Sequence, residues 1–254
     1  SYLAVGRETT LGTGITATAA LDFLSASLKT VQESKILEQI ERRRTYSKRI
    51  QIGKKIEGEL EFYYQPMVDS CNYFLQNAMG GTVTVATVTG ETVGGGGLQH
   101  TFNTGNMDQN YKSLSINLRK GPSTGGKVFE YYGNRVDEIS FSGELDQPLK
   151  VKAKLVAMNS TQTSNDVESL LTVTANPVLS FVDGRISIET NYASLTSTSF
   201  WHVQSFEFAI NNNLKTDNDA RRIGTDILTV LPPGMQTYTF NVKLRFDTTT
   251  AYAA

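Results

Sequence analysis

Apolar and acidic residues alternate over residues 56–64 of the chain. Three apolar side chains share one side of this segment: Ile56, Leu60 and Phe62. Three carboxylates share the other side: Glu57, Glu59 and Glu61. Because successive side chains of a strand point to opposite faces, the pattern predicts a half-buried strand with an acidic face. Pro66 ends the pattern.

One segment has helical features, residues 68–79. Asp69 and Ser70 lie near its start, aromatic and aliphatic residues fill its interior, and Gly80 and Gly81 follow it. An acidic start and a glycine stop are typical helix boundaries. We therefore expect one short α-helix in this position.

From residue 82 onward, short strand patterns alternate with turn residues. The predicted strands, with an earlier one at Leu21–Val31, are Thr82–Thr89, Leu98–Asn103, Ser113–Arg119, Lys127–Tyr132, Val136–Leu145, Leu149–Met158, Leu179–Val182, Arg185–Glu189, Trp201–Ile210 and Thr237–Phe246. Asp183-Gly184 is a hairpin signal between two of them. The basic face of another strand is formed by Lys150, Lys152 and Lys154. Regularly spaced strands with a single helix predict a mainly β fold, a sandwich or a barrel.

The remaining segments are predicted to be extended or irregular. Residues 1–20 are rich in small residues and indicate an N-terminal arm or a packed extended segment. Residues 32–55 form a long charged stretch, which we interpret as a flexible loop, with a short helix as the alternative. The other predicted long loops are residues 90–97, 159–176 and 211–234. No linker is evident, so we expect a single domain over residues 1–254.

Composition narrows the possible classes of protein. The formal net charge of −1 gives no general attraction to nucleic acid or acidic membranes. Cys71 is the single cysteine, so an intrachain disulfide is excluded. No window approaches the length of apolar sequence that a membrane-spanning helix needs. The start of the chain lacks the features of a signal peptide, so we expect synthesis and folding in the cytoplasm.

Motifs for catalysis or cofactor binding are incomplete. Residues 121–128 nearly match a phosphate-binding loop, but Val128 replaces the hydroxyl residue and a strand pattern follows instead of a helix. The formal G-x-S-x-G at residues 121–125 lacks the helix of a nucleophile elbow. One cysteine and two distant histidines, His100 and His202, do not form a zinc site. We expect no enzyme activity, no cofactor and no metal.

Two charged clusters remain as candidate functional residues. Glu57, Glu59 and Glu61 are interpreted as an electrostatic surface or as cross-strand partners of the lysine-bearing strand. The alternative is a pair of catalytic carboxylates in a carbohydrate hydrolase. Arg42, Arg43 and Arg44 are interpreted as a charged surface or a subunit contact, with nucleic-acid phosphates as the alternative partner.

Four segments, in order, resemble the tail tube (major tail) proteins of long-tailed bacteriophages. The first is Val5–Thr13, similar to an opening G-[KR]-E-T-x-x-G-T motif in that family. The others are Lys55–Leu60 with the helix and Gly80, then Tyr132–Phe141, then Val203–Leu214 followed by Arg221–Gly224. The resemblance covers nearly the whole chain, although further strand material is expected after Asp247.

The resemblance implies a virion structural protein with a sandwich or barrel fold. Copies would form hexameric rings that stack into a hollow tube on a tape-measure protein, capped by terminator and tip proteins. The tube would conduct viral DNA during ejection, and long loops and an N-terminal arm would bridge rings. On this basis we expect Glu57, Glu59 and Glu61 to line the lumen and Arg42 to Arg44 to lie at an inter-ring contact.

Other readings stay open at this point. The inner tube of a contractile injection system is expected to have a related fold, and a capsid decoration or other virion β protein is a second alternative. A β-sandwich carbohydrate-active enzyme that uses the acidic strand is the enzymatic alternative.

Overall fold

A computed structural model describes residues 1–36, 49–87, 98–105, 113–122, 126–164, 166–171, 177–184, 186 and 202–245. The strands of this part are β1 (Tyr2–Arg7), β2 (Ala19–Ala20), β3 (Ser25–Ala26), β4 (Lys29–Ile36), β5 (Arg49–Tyr63), β6 (Gly80–Thr87), β7 (Leu98–Thr104), β8 (Leu114–Lys120), β9 (Lys127–Glu144), β10 (Lys150–Ala157), β11 (Asn159–Thr163), β12 (Val203–Asn211) and β13 (Thr237–Leu244). The α-helix, α1, spans Asp69–Met79. Three 3₁₀ turns cover Glu168–Leu170, Phe181–Asp183 and Asn218–Ala220.

The strands form two antiparallel layers that share one long strand, β9. Sheet 1 has the order β2-β1-β8-β9-β11 and uses β9 up to Asn134. Sheet 2 has the order β13-β12-β9-β10-β5 and uses β9 from Arg135 onward. On the far side of β5, β4 and β3 pair with successive parts of that strand. The separate hairpin β6-β7 follows the helix.

The main hydrophobic core lies between the two sheets and beneath the helix. It contains Leu3 of β1, Ile116 of β8, Phe62 of β5, Val151 of β10 and Phe74 of α1, all almost completely buried. The rings of Phe62 and Phe74 are 5.5 Å apart, so the helix packs directly on sheet 2. The predicted mainly β fold with one short helix is therefore confirmed.

The helix and the alternating strand form where the sequence predicts them. Gly80 ends α1 in a left-handed conformation with φ of 71°, which glycine adopts without steric cost. In β5, Ile56, Leu60 and Phe62 are fully buried, whereas the glutamates between them are partly exposed. The predicted polarity of this strand is thus correct.

The predicted loop over residues 32–55 is wrong in its described parts. Lys29–Ile36 and Arg49–Tyr63 are strands that pair from Lys29 with Glu57 to Ile36 with Arg49. This hairpin extends past the end of β10, where both faces meet solvent. Charged residues are tolerated there without alternation, so the sequence pattern resembles that of a loop.

The first residues do not form an N-terminal arm. Tyr2–Arg7 is a strand between β2 and β8, and its first five residues are buried. Leu3 and Val5 face the main core, while Tyr2 and Ala4 pack against Ala17 and Val167 on the other side of sheet 1. Because both faces of this strand are covered, it has a continuous apolar run instead of alternation.

Three further predictions need correction. The strands predicted at Lys127–Tyr132 and Val136–Leu145 are a single 18-residue strand, which continues through Gly133 at φ of 63°. The predicted loop over residues 159–176 begins with the polar strand β11. Leu179–Val182 does not form a hairpin strand, because a 3₁₀ turn occupies Phe181–Asp183.

The segment after β12 is irregular but well packed. Ala220, Leu228 and Leu231 are completely buried against Val156 and Met158, which lie at the end of sheet 2. Residues 212–236 therefore cover one end of this sheet, and the predicted loop over residues 211–234 is a packed part of the domain.

A buried carboxylate joins the turn after β1 to the middle of the fold. Glu8 is completely buried and accepts hydrogen bonds from the backbone N–H groups of Gly12 and Gly133, both at 2.9 Å. The hydroxyls of Ser113 and Ser115 also donate to it. The carboxylate thus fixes the turn, β8 and the point where β9 passes between the sheets.

We expect Gly58→Ala to lower the free energy of unfolding by about 2 kcal/mol, through overpacking of the core. A Cβ at this position would lie 2.6 Å from the Cα of Leu28, a buried backbone atom that cannot move aside easily. Denaturant unfolding of the monomer measures the change. Gly184→Ala is the control, because its Cβ would have no neighbour closer than 3.6 Å. An equal change in both variants would contradict the clash.

Candidate assembly surfaces

One face of sheet 2 is polar and faces away from the core. Strand pairing places Lys152 opposite Glu61 and Lys154 opposite Glu59, on the side opposite the buried residues of β5. The same alternation continues across β9, β12 and β13. We call this the polar face; its charged side chains are Glu57, Glu59, Glu61, Glu138, Glu144, Glu207, Lys29, Lys55, Lys150, Lys152, Lys154 and Lys243.

Ion pairs neutralise part of the polar face. They join Lys55 to Glu57 at 2.8 Å, Lys152 to Glu59 at 2.8 Å and Lys154 to Glu138 at 2.6 Å. The hydrogen bond to Glu59 raises the pKa of Lys152, and the hydrogen bond to Glu138 raises that of Lys154. All three pairs are solvent-accessible, so they contribute little to stability and mainly set the local charge.

The formal charges of the polar face balance. It has six glutamates and six lysines, so their difference is zero. The sequence correctly predicts that Glu57, Glu59 and Glu61 share a face with the lysines of β10. They do not form an uncompensated acidic stripe, because the neighbouring strand supplies cations to it.

One edge of sheet 2 is open and aromatic. Among the described residues, β13 pairs with β12 and with no other strand. Opposite the polar face, the ring of Phe208 lies 6.4 Å from those of both Tyr238 and Phe240. Tyr238 and Phe240 are about half exposed. We call these three rings the aromatic ledge; aromatic side chains at an open sheet edge are typical of a strand that another chain covers.

The opposite edge of the sheet is shorter and partly covered. β4 pairs with the first half of β5, whereas only Ser25 and Ala26 of β3 pair with its second half. Leu24, directly before β3, is 46% exposed. Each end of the strand order thus has backbone or apolar groups available to a second molecule.

The paired strands β4 and β5 extend beyond the body of sheet 2. β10 ends opposite Ile56, so residues 49–55 have no β10 partner. The backbone N–H of Lys54 instead donates to the backbone carbonyl of Asp226 at 2.6 Å. The guanidinium group of Arg221 donates to the backbone carbonyl of Lys54. We call residues 29–36 with 49–55 the projecting hairpin; the 221–226 loop supports its base.

Apolar side chains on the projecting hairpin are exposed. Ile36, Ile50 and Ile52 are 41%, 47% and 40% exposed. Ile50 and Ile52 are two residues apart on one strand and therefore share a face. The stretch predicted as an inter-ring contact, Arg42 to Arg44, lies in sequence between β4 and β5 and outside the described residues.

A groove lies at the other end of sheet 2. It has a volume of about 260 Å³ and is lined by parts of Gly143–Leu149, Leu179–Gly184 and Val203–Phe206, together with Ile186. Backbone hydrogen bonds fix its base, since Leu149 N–H donates to Leu179 at 2.8 Å and Phe181 N–H to Gln147 at 3.2 Å. Leu145 and Phe181 are about half exposed at its opening. We call it the end groove.

The phosphate-loop-like segment connects two neighbouring antiparallel strands. Lys120 of β8 pairs with Lys127 of β9, and Gly121 has φ of 100°, which explains the glycine at this position. Ser123 to Gly125 lie outside the described residues. Across the described ranges, no three histidine, cysteine or acidic side chains cluster in a way that could hold a metal ion.

Comparison with known families identifies the class of protein. The profile of a family described as phage tail tube protein matches residues 1–254, the entire sequence. The chain belongs to the phage tail tube protein family. No curated protein matches it in sequence.

Membership of this family shows what kind of protein has these surfaces. A phage tail tube protein is a structural component of the virion tail and assembles with its own copies into a tube. The family is structural and is not an enzyme family. No helix among the described residues of this tail tube protein is long and apolar enough to cross a membrane.

Sequence reasoning missed two surfaces of the tail tube protein. The sequence predicted the two strands that contain the aromatic ledge, but not that it lies at an open edge, because a sequence does not show which strand is outermost in a sheet. The end groove combines three segments that are distant in sequence, so no local motif marks it. A usable signal for the ledge was the alternation of threonine with Tyr238 and Phe240.

Proposed function

We propose that this tail tube protein forms stacked hexameric rings whose lumen conducts viral DNA during genome ejection. The observation that carries the proposal is sheet 2, which combines an uncovered polar face with the open edge of β13. In a ring, that edge would lie beside the β3 edge of the next copy. Ring closure removes open edges and so protects the sheet from uncontrolled aggregation.

The polar face suits the wall of a channel for DNA. Its formal charges balance and are paired across the strands, so it offers no dense cationic surface that would retain phosphates. In this arrangement Glu57, Glu59 and Glu61 line the lumen. Ion pairing with Lys55 and Lys152 keeps these carboxylates from creating a strongly repulsive ring.

Stacking of the rings implies further contacts, between successive rings and with other tail proteins. Head-to-tail contacts that repeat along an axis produce a filament of rings. Arg42, Arg43 and Arg44 would lie at such an inter-ring contact, near acidic groups of the next ring. The tape-measure protein would occupy the lumen during assembly, and terminator and tip proteins would close the two ends. The whole chain, residues 1–254, would act as one domain.

We expect Glu61→Cys, labelled with a maleimide-linked gold cluster, to place density inside the channel of assembled tubes. Electron microscopy of the purified protein at high concentration provides the measurement, with Leu170→Cys as the matched control. Leu170 is 57% exposed on the outer side of sheet 1, so its label should lie outside the tube. Gold on the outer surface for Glu61→Cys would refute the lumen assignment, and absence of rings would refute the proposed function.

A further inference from the structure

The β6-β7 hairpin stands apart from both sheets of the sandwich. We propose that its apolar face packs on the next copy in the same ring, against the corner formed by residues 21–26 and 66–69. The partner is thus a second copy of this chain. The inference rests on the proposed ring, and it adds a contact between neighbouring copies outside sheet 2 to the pairing of sheet edges.

The hairpin has an apolar face that its own chain covers only in part. Val83 pairs with Phe102, and two positions further along the strand Val85 pairs with His100, so these side chains share one face. Threonines such as Thr84 lie on the other face. Val83 and Phe102 are half-buried, whereas Val85 is 55% exposed. The apolar face therefore continues beyond the part that the single copy covers.

Both outer edges of the hairpin are open among the described residues. β6 and β7 pair with each other and with no further strand of that part of the chain. Gly80–Thr87 and Leu98–Thr104 contain no aspartate, glutamate, lysine, arginine or proline, the residues that usually protect an open edge. A two-stranded hairpin is also marginally stable in water by itself. Both features favour a hairpin that a second chain covers.

The direction of α1 places the hairpin and the corner at opposite sides of the molecule. The helix begins beside the segment that joins β2 to β3, where the Ser70 hydroxyl donates to the Ala20 carbonyl at 2.6 Å. It crosses β5 at Phe74 and ends near β13, where Gln236 donates to the Ala78 carbonyl at 2.9 Å. β6 starts directly after the helix. With β13 of one copy beside β3 of the next, the hairpin faces the corner of that next copy, and the contact repeats around the ring.

The root of the hairpin is fixed next to the open edge of sheet 2. The Gly105 N–H donates to the Met79 carbonyl at 3.2 Å, which ties the end of β7 to the end of α1. Gln236, which also bonds the end of α1, accepts a hydrogen bond from the Tyr238 hydroxyl of the aromatic ledge at 2.5 Å. A root that is held in place before assembly reduces the conformational freedom lost on docking.

The corner offers groups that match the apolar face of the hairpin. Leu24 is 46% exposed and Met67 is 76% exposed, so apolar surface is available on both sides of the contact. Asp22 and Asp69 are exposed beside them in sequence. The imidazole of His100 offers an N–H that can donate to a carboxylate, and neither strand of the hairpin has an acidic side chain that would repel one.

Cross-linking with a short bismaleimide tests the contact in assembled rings. The double variant joins Val85→Cys on the hairpin with Leu24→Cys at the corner, two positions that are exposed in the single copy. Burial raises the pKa of the Cys71 thiol to about 11, so the natural cysteine stays protonated and unreactive. On a denaturing gel, a link between copies adds a chain to the product, whereas a link within one copy does not.

We expect a ladder that ends at the hexamer, because links between neighbours in one ring close on themselves. The variant Val85→Cys with Leu170→Cys should give no ladder. Products that continue past one ring would indicate links between stacked rings and would overturn the lateral contact. Rings of the double variant without a ladder would also overturn it and leave the proposed function intact. Absence of rings in the wild-type chain would instead overturn the proposed function.

A charge on either face of β6 gives a second readout, which decides the matter even if the two cysteines weaken the rings. Val85→Asp places a carboxylate among apolar groups near Asp22 and Asp69, and should raise the protein concentration that rings need by about tenfold or more. Thr84→Asp is the matched control, because Thr84 is exposed on the polar face of the same strand, and should assemble as the wild type does. Equal concentrations for the two variants would show that the apolar face is not at a joint.

Discussion

Phe240→Lys should strongly raise the protein concentration that ring formation needs, while the individual chain stays folded. The Phe240 ring is 49% exposed in a single copy, so lysine at this position keeps its charge in water and the monomer loses little. In a ring, the same side chain would lie at the joint between neighbouring copies. Lysine there would have to lose its hydration, and the apolar contact of the aromatic ledge would be lost as well.

The expected size of this effect is roughly a hundredfold rise in the protein concentration needed for assembly, about 2.7 kcal/mol at each joint. Burial of the exposed half of the Phe240 ring contributes about 1 kcal/mol, and the loss of hydration of the lysine supplies the rest. Light scattering and negative-stain microscopy across a concentration series measure it. The melting temperature of the monomer should remain within a few degrees of wild type, because the substituted side chain is half exposed.

Leu170→Lys is the matched control for this substitution. Leu170 is exposed to a similar degree, but it lies in a 3₁₀ turn on the far side of sheet 1. This variant should assemble as the wild type does. Rings of Phe240→Lys at wild-type concentrations would show that the aromatic ledge is not part of the ring joint.

Glu8→Ala should lower the free energy of unfolding of the monomer by about 3 kcal/mol. The substitution removes one acceptor group that serves two backbone N–H groups and two hydroxyls. The hydroxyls of Ser113 and Ser115 can turn to other acceptors, but the N–H groups of Gly12 and Gly133 stay in place. A buried donor without a partner costs about 1–3 kcal/mol, so the fully buried Gly133 N–H accounts for most of the estimate and the partly buried Gly12 N–H for the rest.

Denaturant unfolding by circular dichroism, at concentrations where the chain is monomeric, provides the measurement. Glu8→Gln should lie between wild type and alanine, because its amide retains one oxygen acceptor. Glu207→Ala is the surface control and should change stability by less than about 0.5 kcal/mol, since its side chain is exposed on the polar face. A change for Glu8→Ala no larger than for this control would contradict the assigned role of the carboxylate.

The role of Glu8 also explains part of the sequence resemblance. Gly6, Arg7 and Glu8 open the motif shared with tail tube proteins, yet the sequence alone does not show that the glutamate is buried. An acidic residue followed by polar residues usually indicates a surface turn. Three of the four hydrogen-bond donors, in Ser113, Ser115 and Gly133, lie more than one hundred positions away, so no local pattern reveals them.

Local patterns were sufficient wherever one face of an element meets the core. The alternation over Ile56–Tyr63 predicted both the strand and its buried side, and the glycine after Met79 predicted the helix end. Cross-strand pairing of the lysine strand β10 with the glutamates of β5 was also expected and is observed. In these cases the physical cause, burial of one side, acts on residues close in sequence.

The patterns failed where burial covers both faces or neither. β1 is covered on both faces, so its sequence does not alternate. The sequence therefore left two alternatives for the first residues, an arm or a packed extended segment. The projecting hairpin is covered on neither face, so its strands contain charged residues without alternation and resembled a loop. Assembly could bury one side of the hairpin, and the information for its strands would then lie partly in a second molecule.

The 18-residue strand β9 has a mechanical consequence for a tube wall made of two layers. Its backbone passes from one sheet into the other without a break, so the layers are joined by peptide bonds as well as by packed side chains. In the proposed tube, outward pressure on the inner layer would be transferred to the outer layer through the covalent backbone of β9, which does not dissociate as a packed interface can. A wall built from such subunits resists delamination under internal load even where its side-chain core is thin.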